Sequence, residues 1–206
     1  LSNAAASPSQ PENNLNLPNV ITFGRLGLAL VLFALMSLNR GWAWCAALFV
    51  VATLTDVLDG WIARKYGLIT QLGRIMDPFA DKFITGGVCV FLLPYAERSG
   101  VNPWMVIIVL GREMLVTSLR GFLERQGADF SATFSGKLKM FLQCAALTVA
   151  LLTMDGAFLE WCDAQVSGGA SQIFAARNVC LWTMVAVTLW SGWDYVLRAM
   201  QILRSR

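Results

Sequence analysis

Thr55-Asp56-Val57-Leu58-Asp59-Gly60-Trp61-Ile62-Ala63-Arg64, followed by Gly73-Arg74-Ile75-Met76-Asp77-Pro78-Phe79-Ala80-Asp81-Lys82, sets four carboxylates in a chain otherwise built of long apolar runs. An ionisable group inside a membrane segment is costly and by default marks function. Asp56 and Asp59 are three apart and Asp77 and Asp81 four apart, so on helices each pair shares a face. The polar, glycine-punctuated segment around Tyr66-Gly67 and Gln71-Leu72-Gly73 reads as a turn. The two helices then run antiparallel and bring the pairs to similar depth. Asp59 lies about two turns before the turn and Asp77 about one turn after it, at ~1.5 Å per residue.

Four clustered carboxylates repel one another unless they are protonated or neutralised by cations. Arg64, Arg74 and Lys82 are near in sequence but offset the cluster only in part. A donor set made of oxygens alone suits a hard divalent ion, Mg²⁺ or Mn²⁺. Two such ions bridged by carboxylates form the usual clamp for displacement at phosphorus. Simple ion pairing between helices would not need two acidic pairs flanking one turn.

The 206 residues set a prior of one domain. The 56% hydrophobic content and mean hydropathy of +0.57 exceed those of a typical soluble domain, and apolar runs of spanning length recur. The fold class is therefore all-α, a polytopic membrane protein of about six transmembrane helices. Lys and Arg cluster at Arg64/Lys65/Arg74/Lys82, at Arg112/Arg120/Arg125/Lys137/Lys139 and at Arg198/Arg204/Arg206, whereas the opposite loops carry only Arg40, Arg98 and Arg177 beside acids. The positive-inside rule puts the aspartates and the C-terminus on the cytoplasmic side. No basic stripe with interleaved aromatics points to nucleic acid. The absence of histidine excludes His-based base or nucleophile chemistry and disfavours zinc. Five scattered cysteines read as small buried apolar residues.

In chain order, Leu1–Asn16 is expected to be a flexible polar segment, part of it a vector-derived remnant since the chain opens on Leu, and residues 17–206 the membrane domain. The first span runs from about Ile21 to Leu38, with Asn19 or Thr22 able to cap it and Arg25 near its start. Asn39-Arg40-Gly41 is a tight turn. The second span is expected from Trp42 to Tyr66 and the third from Gly73 to Tyr95, where Asp77-Pro78 also resembles a helix start. A loop from Glu97 to Pro103 leads to a fourth span, Trp104 to Leu123. There Arg112 sits inside the apolar run and needs a partner or ligand, while adjacent Arg112 and Glu113 are expected to face apart and not pair. After a loop from Gln126 to Thr133, the fifth span starts near Phe134. Lys139 there would snorkel, and Lys137 beside Gly136 looks like a ligand group. A longer loop, Asp155 to Gln172, precedes the last span, Ile173 to Leu197, whose Trp182, Trp190 and Trp193 read as interfacial or packing residues. Gly86-Gly87 permits close helix contact, within or between protomers.

A divalent carboxylate site with several Arg and Lys in reach is a site for phosphorylated substrates. No P-loop is present, so the donor is not ATP in its usual cradle. Small Gly60 and Ala63 would let a substrate approach the helix backbone.

Asp56-x-x-Asp59-Gly60-x-x-Ala63-Arg64, eight residues, then Gly73-x-x-x-Asp77-x-x-x-Asp81 matches without departure the signature of the CDP-alcohol phosphotransferase family, and the resemblance extends from about Leu17 onward. It implies enzymes that displace CMP from a CDP-linked lipid by the hydroxyl of an acceptor alcohol. It implies Asp56, Asp59 and Asp77 as metal ligands with Asp81 beside them, a two-metal Mg²⁺ or Mn²⁺ site, and Asp81 as the general base. Gly60, Ala63, Arg64 and Gly73 would frame the CDP portion, with Asn19, Thr22 and Arg25 close by.

Gly111-Arg112-Glu113, Ser118-Leu119-Arg120, Gly136-Lys137-x-Lys139 and Leu189-Trp190-Ser191 resemble the branch that transfers phosphatidyl from CDP-diacylglycerol to sn-glycerol 3-phosphate. The acceptor phosphate would then meet Arg112, Arg120, Lys137 and Lys139. The resemblance also implies a homodimer and, with membrane lipid as surroundings, a place in the bacterial inner membrane. Phosphatidylinositol-phosphate synthases and cardiolipin synthases of the same family are the alternatives. A divalent-cation transporter is the alternative of another class, but it favours carboxylates spread through the bilayer depth.

Overall fold

The computed structural model describes residues 17–66, 71–125 and 134–204; within them the side chains of residues 17–19, 56–66, 71, 72, 74 and 124 lie outside the described set. The described residues form helices and turns, with no strand among them. Helix α1 is Leu17–Ser37, α2 Trp42–Tyr66 and α3 Gln71–Leu92. A 3₁₀ turn at Leu93–Tyr95 and the short α4, Ala96–Ser99, lead to α5, Pro103–Arg125. Then come α6, Phe134–Leu152, the short α7, Gly156–Gln165, and α8, Gly169–Arg204.

Four stretches are long and apolar enough to cross a membrane: Val20–Ser37, Ile75–Ser99, Phe134–Leu152 and Gly169–Arg204. The protein is therefore an all-α membrane protein. Of the other two expected spans, α2 has a shorter apolar part, Trp42–Thr55, and α5 is interrupted by Arg112, Glu113 and Arg120.

The turns follow their chemistry. Asn39 and Gly41 take positive φ, 51° and 65°, and close the α1–α2 turn as expected. α3 begins at Gln71, close to the expected Gly73, so Pro78 lies inside the helix and the local resemblance of Asp77-Pro78 to a helix start is not realised. Two expectations need correction. The segment from Asp155 to Gln172 is not a plain loop: Asp155 caps α7 by accepting from Phe158 N at 3.0 Å. The loop expected from Glu97 begins as one helical turn, closed by Gly100 at φ 72°.

Packing sets the ends of the bundle. α1 packs on α2 and α3, α6 on α2 and α8, and α5 on α8. The main core joins Leu32, Phe49, Val88, Leu147 and Met184 across these helices. A smaller one, Val116, Leu123, Tyr195 and Ala199, ties α5 to α8 near the aspartate end. Gly86 faces Leu110 of α5 and Gly87 the ring of Phe33 of α1, so this glycine pair serves contact within the chain. Trp182, Trp190 and Trp193 are exposed, as lipid-facing or interfacial residues should be.

Candidate active site

Gly73, Asp77 and Asp81 recur every four residues on α3 and share one face. Thr22 on α1, only 1% exposed, donates from Oγ1 to Asp77 Oδ1 at 2.7 Å. A charge-assisted bond of that length fixes the carboxylate while leaving its other oxygen for a further partner. One turn on from Thr22, Arg25 is buried and lines a small space of about 10 Å³ with Thr53, Asp81 and Thr85. That is the size of one water among polar partners. α1 thus contributes a hydroxyl at Asp77 and, one turn on, a buried arginine that lines the same small space as Asp81.

Asp56, Asp59, Gly60, Ala63 and Arg64 fall on α2, which packs on α1 and α3, but their side chains lie outside the described residues, as does that of Asn19. Among the described residues no three His, Cys, Asp or Glu side chains converge. Asp77 and Asp81, one turn apart, are hard oxygen donors suited to a divalent ion such as Mg²⁺ or Mn²⁺.

Beside this carboxylate face opens a cavity of about 410 Å³. α3 lines it with Asp81 and Lys82, α5 with Arg112, Glu113 and Arg120, α6 with Lys137 and Lys139, and α8 with Tyr195. The four cations singled out in the sequence thus meet in one cavity, and Asp81 stands on its wall. Five cations face two carboxylates, Asp81 and Glu113, so the cavity suits an anion. The buried Nε atoms of Arg112 and Arg120 have no hydrogen-bond partner among the described residues, which leaves donors for such a ligand.

The interior of the cavity corrects two expectations. Arg112 and Glu113 do pair, Nη1 to Oε1 at 3.3 Å. A long Arg side chain can fold back to a neighbour that the helix projects about 100° away, which a short side chain could not. Lys139 does not snorkel: it is 6% exposed and donates from Nζ to Glu113 Oε1. Lys137 remains exposed at the mouth.

Arg112 is further held by α8. Its Nη2 donates to Ser191 Oγ at 2.7 Å, and its guanidinium lies 5.3 Å from the centre of the Tyr195 ring. The partner role of Glu113 and the part played by Tyr195 escaped the sequence reading. Ser191 and Tyr195 do stand four apart on α8, a spacing that could have hinted at a shared polar face.

A family model described as CDP-alcohol phosphatidyltransferase matches residues 15–190. A CDP-diacylglycerol–glycerol-3-phosphate 3-phosphatidyltransferase of Rickettsia typhi is 34% identical over 87% of this chain and 94% of its own length. The protein of the same name in Bacillus subtilis is 31% identical over 92% of this chain and 98% of its own length. A probable phosphatidylglycerophosphate synthase of Mycobacterium tuberculosis is 34% identical over 90% of this chain and 82% of its own length. With the aspartate pattern, the helical bundle and a match over most of its length, the chain belongs to the CDP-alcohol phosphatidyltransferase family.

Proposed function

We propose that this enzyme transfers the phosphatidyl group of CDP-diacylglycerol to sn-glycerol 3-phosphate, giving phosphatidylglycerophosphate and CMP. The relatives' names support both substrates. The observation that carries the reading is the adjacency of Asp81 to a cavity lined by Arg112, Arg120 and Lys137. An acceptor whose phosphate dianion sits among those cations would present its hydroxyl to the Asp81 carboxylate.

The step balances simply. Asp81 takes the proton of the acceptor hydroxyl. That oxygen bonds to the phosphorus carrying diacylglycerol, and the bond from this phosphorus to the bridging oxygen of CMP breaks, the electron pair leaving with CMP. Asp56, Asp59, Asp77 and Asp81 would hold two divalent cations, Mg²⁺ or Mn²⁺, which when bound offset charge on the phosphoryl oxygens and the leaving CMP. Thr22 orients Asp77 for this. Gly60, Ala63, Arg64, Gly73 and Asn19 would frame the CDP portion. Arg112, Arg120 and Lys137 neutralise and orient the acceptor phosphate. Lys139, engaged by Glu113, adds positive potential from below and steadies the carboxylate that holds Arg112.

The charge distribution supports a site facing the cytoplasm, and the Rickettsia and Bacillus relatives support a bacterial inner (plasma) membrane. Family resemblance supports a homodimer. The deciding experiment follows CMP release from CDP-diacylglycerol with Mg²⁺ or Mn²⁺, comparing glycerol 3-phosphate, inositol phosphate and phosphatidylglycerol as acceptors. Release with glycerol 3-phosphate alone is expected. Release only with inositol phosphate or phosphatidylglycerol would move the enzyme to another branch, and none with any acceptor would favour ion transport.

A further inference from the structure

Asp194 on α8 lies outside the cavity yet is bound to the helix that brings two of its cations. Its Oδ2 accepts from Ser135 Oγ at 2.9 Å, and its Oδ1 pairs with Arg198 Nε at 3.4 Å. Ser135 is buried, is the second residue of α6, and directly precedes Gly136 and Lys137, which line the cavity. Three residues before Asp194, Ser191 receives Arg112 of α5 at 2.7 Å. Between them Gly192 abuts the same side chain: a Cβ there would stand 3.2 Å from Arg112 Cγ. One turn of α8 therefore touches both cation-bearing walls, α5 through Arg112 and the start of α6 through Ser135.

A phosphate ligand must be met by its cations at one spacing, and misplacement by about 1 Å is costly in rate. Packing of apolar faces alone lets helices slide, whereas directional hydrogen bonds at the ends set register. Resting on the functional reading above, we infer that Asp194 is a positioning residue for the acceptor phosphate, holding Ser135 so that Lys137 stands at the right spacing from Arg112. It touches no substrate. Its partner Arg198 is half-exposed, and that ion pair contributes little.

The test measures KM for glycerol 3-phosphate and for CDP-diacylglycerol separately, together with kcat, by CMP release in proteoliposomes. Asp194→Ala and Ser135→Ala should each raise the glycerol 3-phosphate KM about three- to tenfold, a part of the weight of one hydrogen bond to a carboxylate, since the bond acts on the ligand only through Lys137. The KM for CDP-diacylglycerol and kcat should stay near the parent values. The double variant should be no worse than either single one, because both remove the same bond. Asp194→Asn, which can still accept from Ser135, should restore the acceptor KM although it loses the pair with Arg198. An unchanged acceptor KM in the single variants, additive effects in the double one, or parallel rises in both KM values would overturn the role. Should Asp194→Ala fail to fold, Ser135→Ala and Asp194→Asn decide alone: an unchanged acceptor KM in the first, or a raised one in the second, overturns it. A parent enzyme releasing no CMP with glycerol 3-phosphate sinks the functional reading instead. A parent that does, with variants that match it, sinks only the role of Asp194.

Discussion

Thr22 and Asp77, 55 positions apart in sequence, are joined by a 2.7 Å hydrogen bond between α1 and α3. The hydroxyl is buried and the acceptor is a carboxylate, a combination worth more than a neutral pair, about 1.5–3 kcal/mol. Thr22→Val keeps the shape and removes the donor. It should raise the Mg²⁺ or Mn²⁺ concentration needed for half-maximal activity several-fold and lower the unfolding temperature in detergent, while Thr22→Ser should largely restore both. A metal titration of activity beside a thermal melt checks this. An unmoved metal requirement would make the bond a helix clamp and nothing more.

Asp81 faces two ways, toward the small space shared with Arg25 and Thr85 and toward the cationic cavity. As the base it should be indispensable to turnover yet not to docking of the CDP-lipid. Asp81→Asn should therefore retain CDP-diacylglycerol binding and lose about 10²–10⁴-fold in kcat. A binding measurement and a single-turnover assay on the same preparation separate the two. Substantial turnover in the variant would take Asp81 out of the base role.

Glu113 and Lys139 form an ion pair whose side chains are 12% and 7% exposed. Removing one partner of such a pair strands a buried charge and costs about 3–5 kcal/mol, whereas replacing both with apolar residues is often neutral. Glu113→Leu strands Lys139 and also takes a partner from Arg112, so it should destabilise more than Lys139→Met, after which Glu113 still has Arg112. The double variant Glu113→Leu/Lys139→Met should recover most of the stability lost in Glu113→Leu. Thermal unfolding of the three variants is the measurement, and simple additivity would show that the two do not act as a pair.

Arg112 and Arg120 carry the acceptor side of the reading. Their buried Nε groups lack protein partners among the described residues, so an anion gains donors already desolvated. Arg112→Ala and Arg120→Ala should each raise the glycerol 3-phosphate KM about tenfold or more, and Lys137→Ala, exposed at the mouth, should do less. Steady-state kinetics with the acceptor varied decides it. Unchanged KM in both arginine variants would empty the cavity of its assigned ligand.

Much of this was legible from spacing. The placement of Asp77 and Asp81 on one face of α3, the turn at Asn39-Arg40-Gly41 and the bounds of α2 follow from helical periodicity and turn residues, which are local properties. The convergence of Arg112, Arg120, Lys137 and Lys139 was anticipated by resemblance, not by periodicity. What escaped depends on side-chain reach and tertiary partners. Whether Arg112 turns to Glu113 is settled by rotamer and by the seat that Ser191 and Tyr195 provide on α8, 79 positions from Arg112 in the case of Ser191. Pro78 reads locally as a helix start, yet α3 runs through it: in a packed membrane helix, neighbouring groups can satisfy what the missing N–H leaves. α7 escapes because it is only ten residues long and lies between turn-type residues, Asp155-Gly156 before it and Ser167-Gly168-Gly169 after it, which make the whole stretch read as a loop.

Gly87 tests the helix packing beneath the site. A Cβ at this position would overlap the ring of Phe33 on α1, and that ring is itself stacked on Phe91 at 5.1 Å and edge-on to Phe83 at 5.4 Å. The ring cannot withdraw without breaking both contacts, so Gly87→Ala should cost about 1–3 kcal/mol despite its gain in helix propensity. Gly27 on α1 has open space around its Cβ position, and Gly27→Ala should be neutral or stabilising by up to about 1 kcal/mol. Because α1 also carries Thr22 and Arg25, pushing it off α3 should lower activity along with stability in Gly87→Ala. Trimming the ring in Gly87→Ala/Phe33→Leu should restore part of both. Unfolding temperature and CMP release measured on the four proteins would show it, and a Gly87→Ala variant as stable as the parent would mean that α1 and α3 do not meet as closely as the Gly87–Phe33 contact requires.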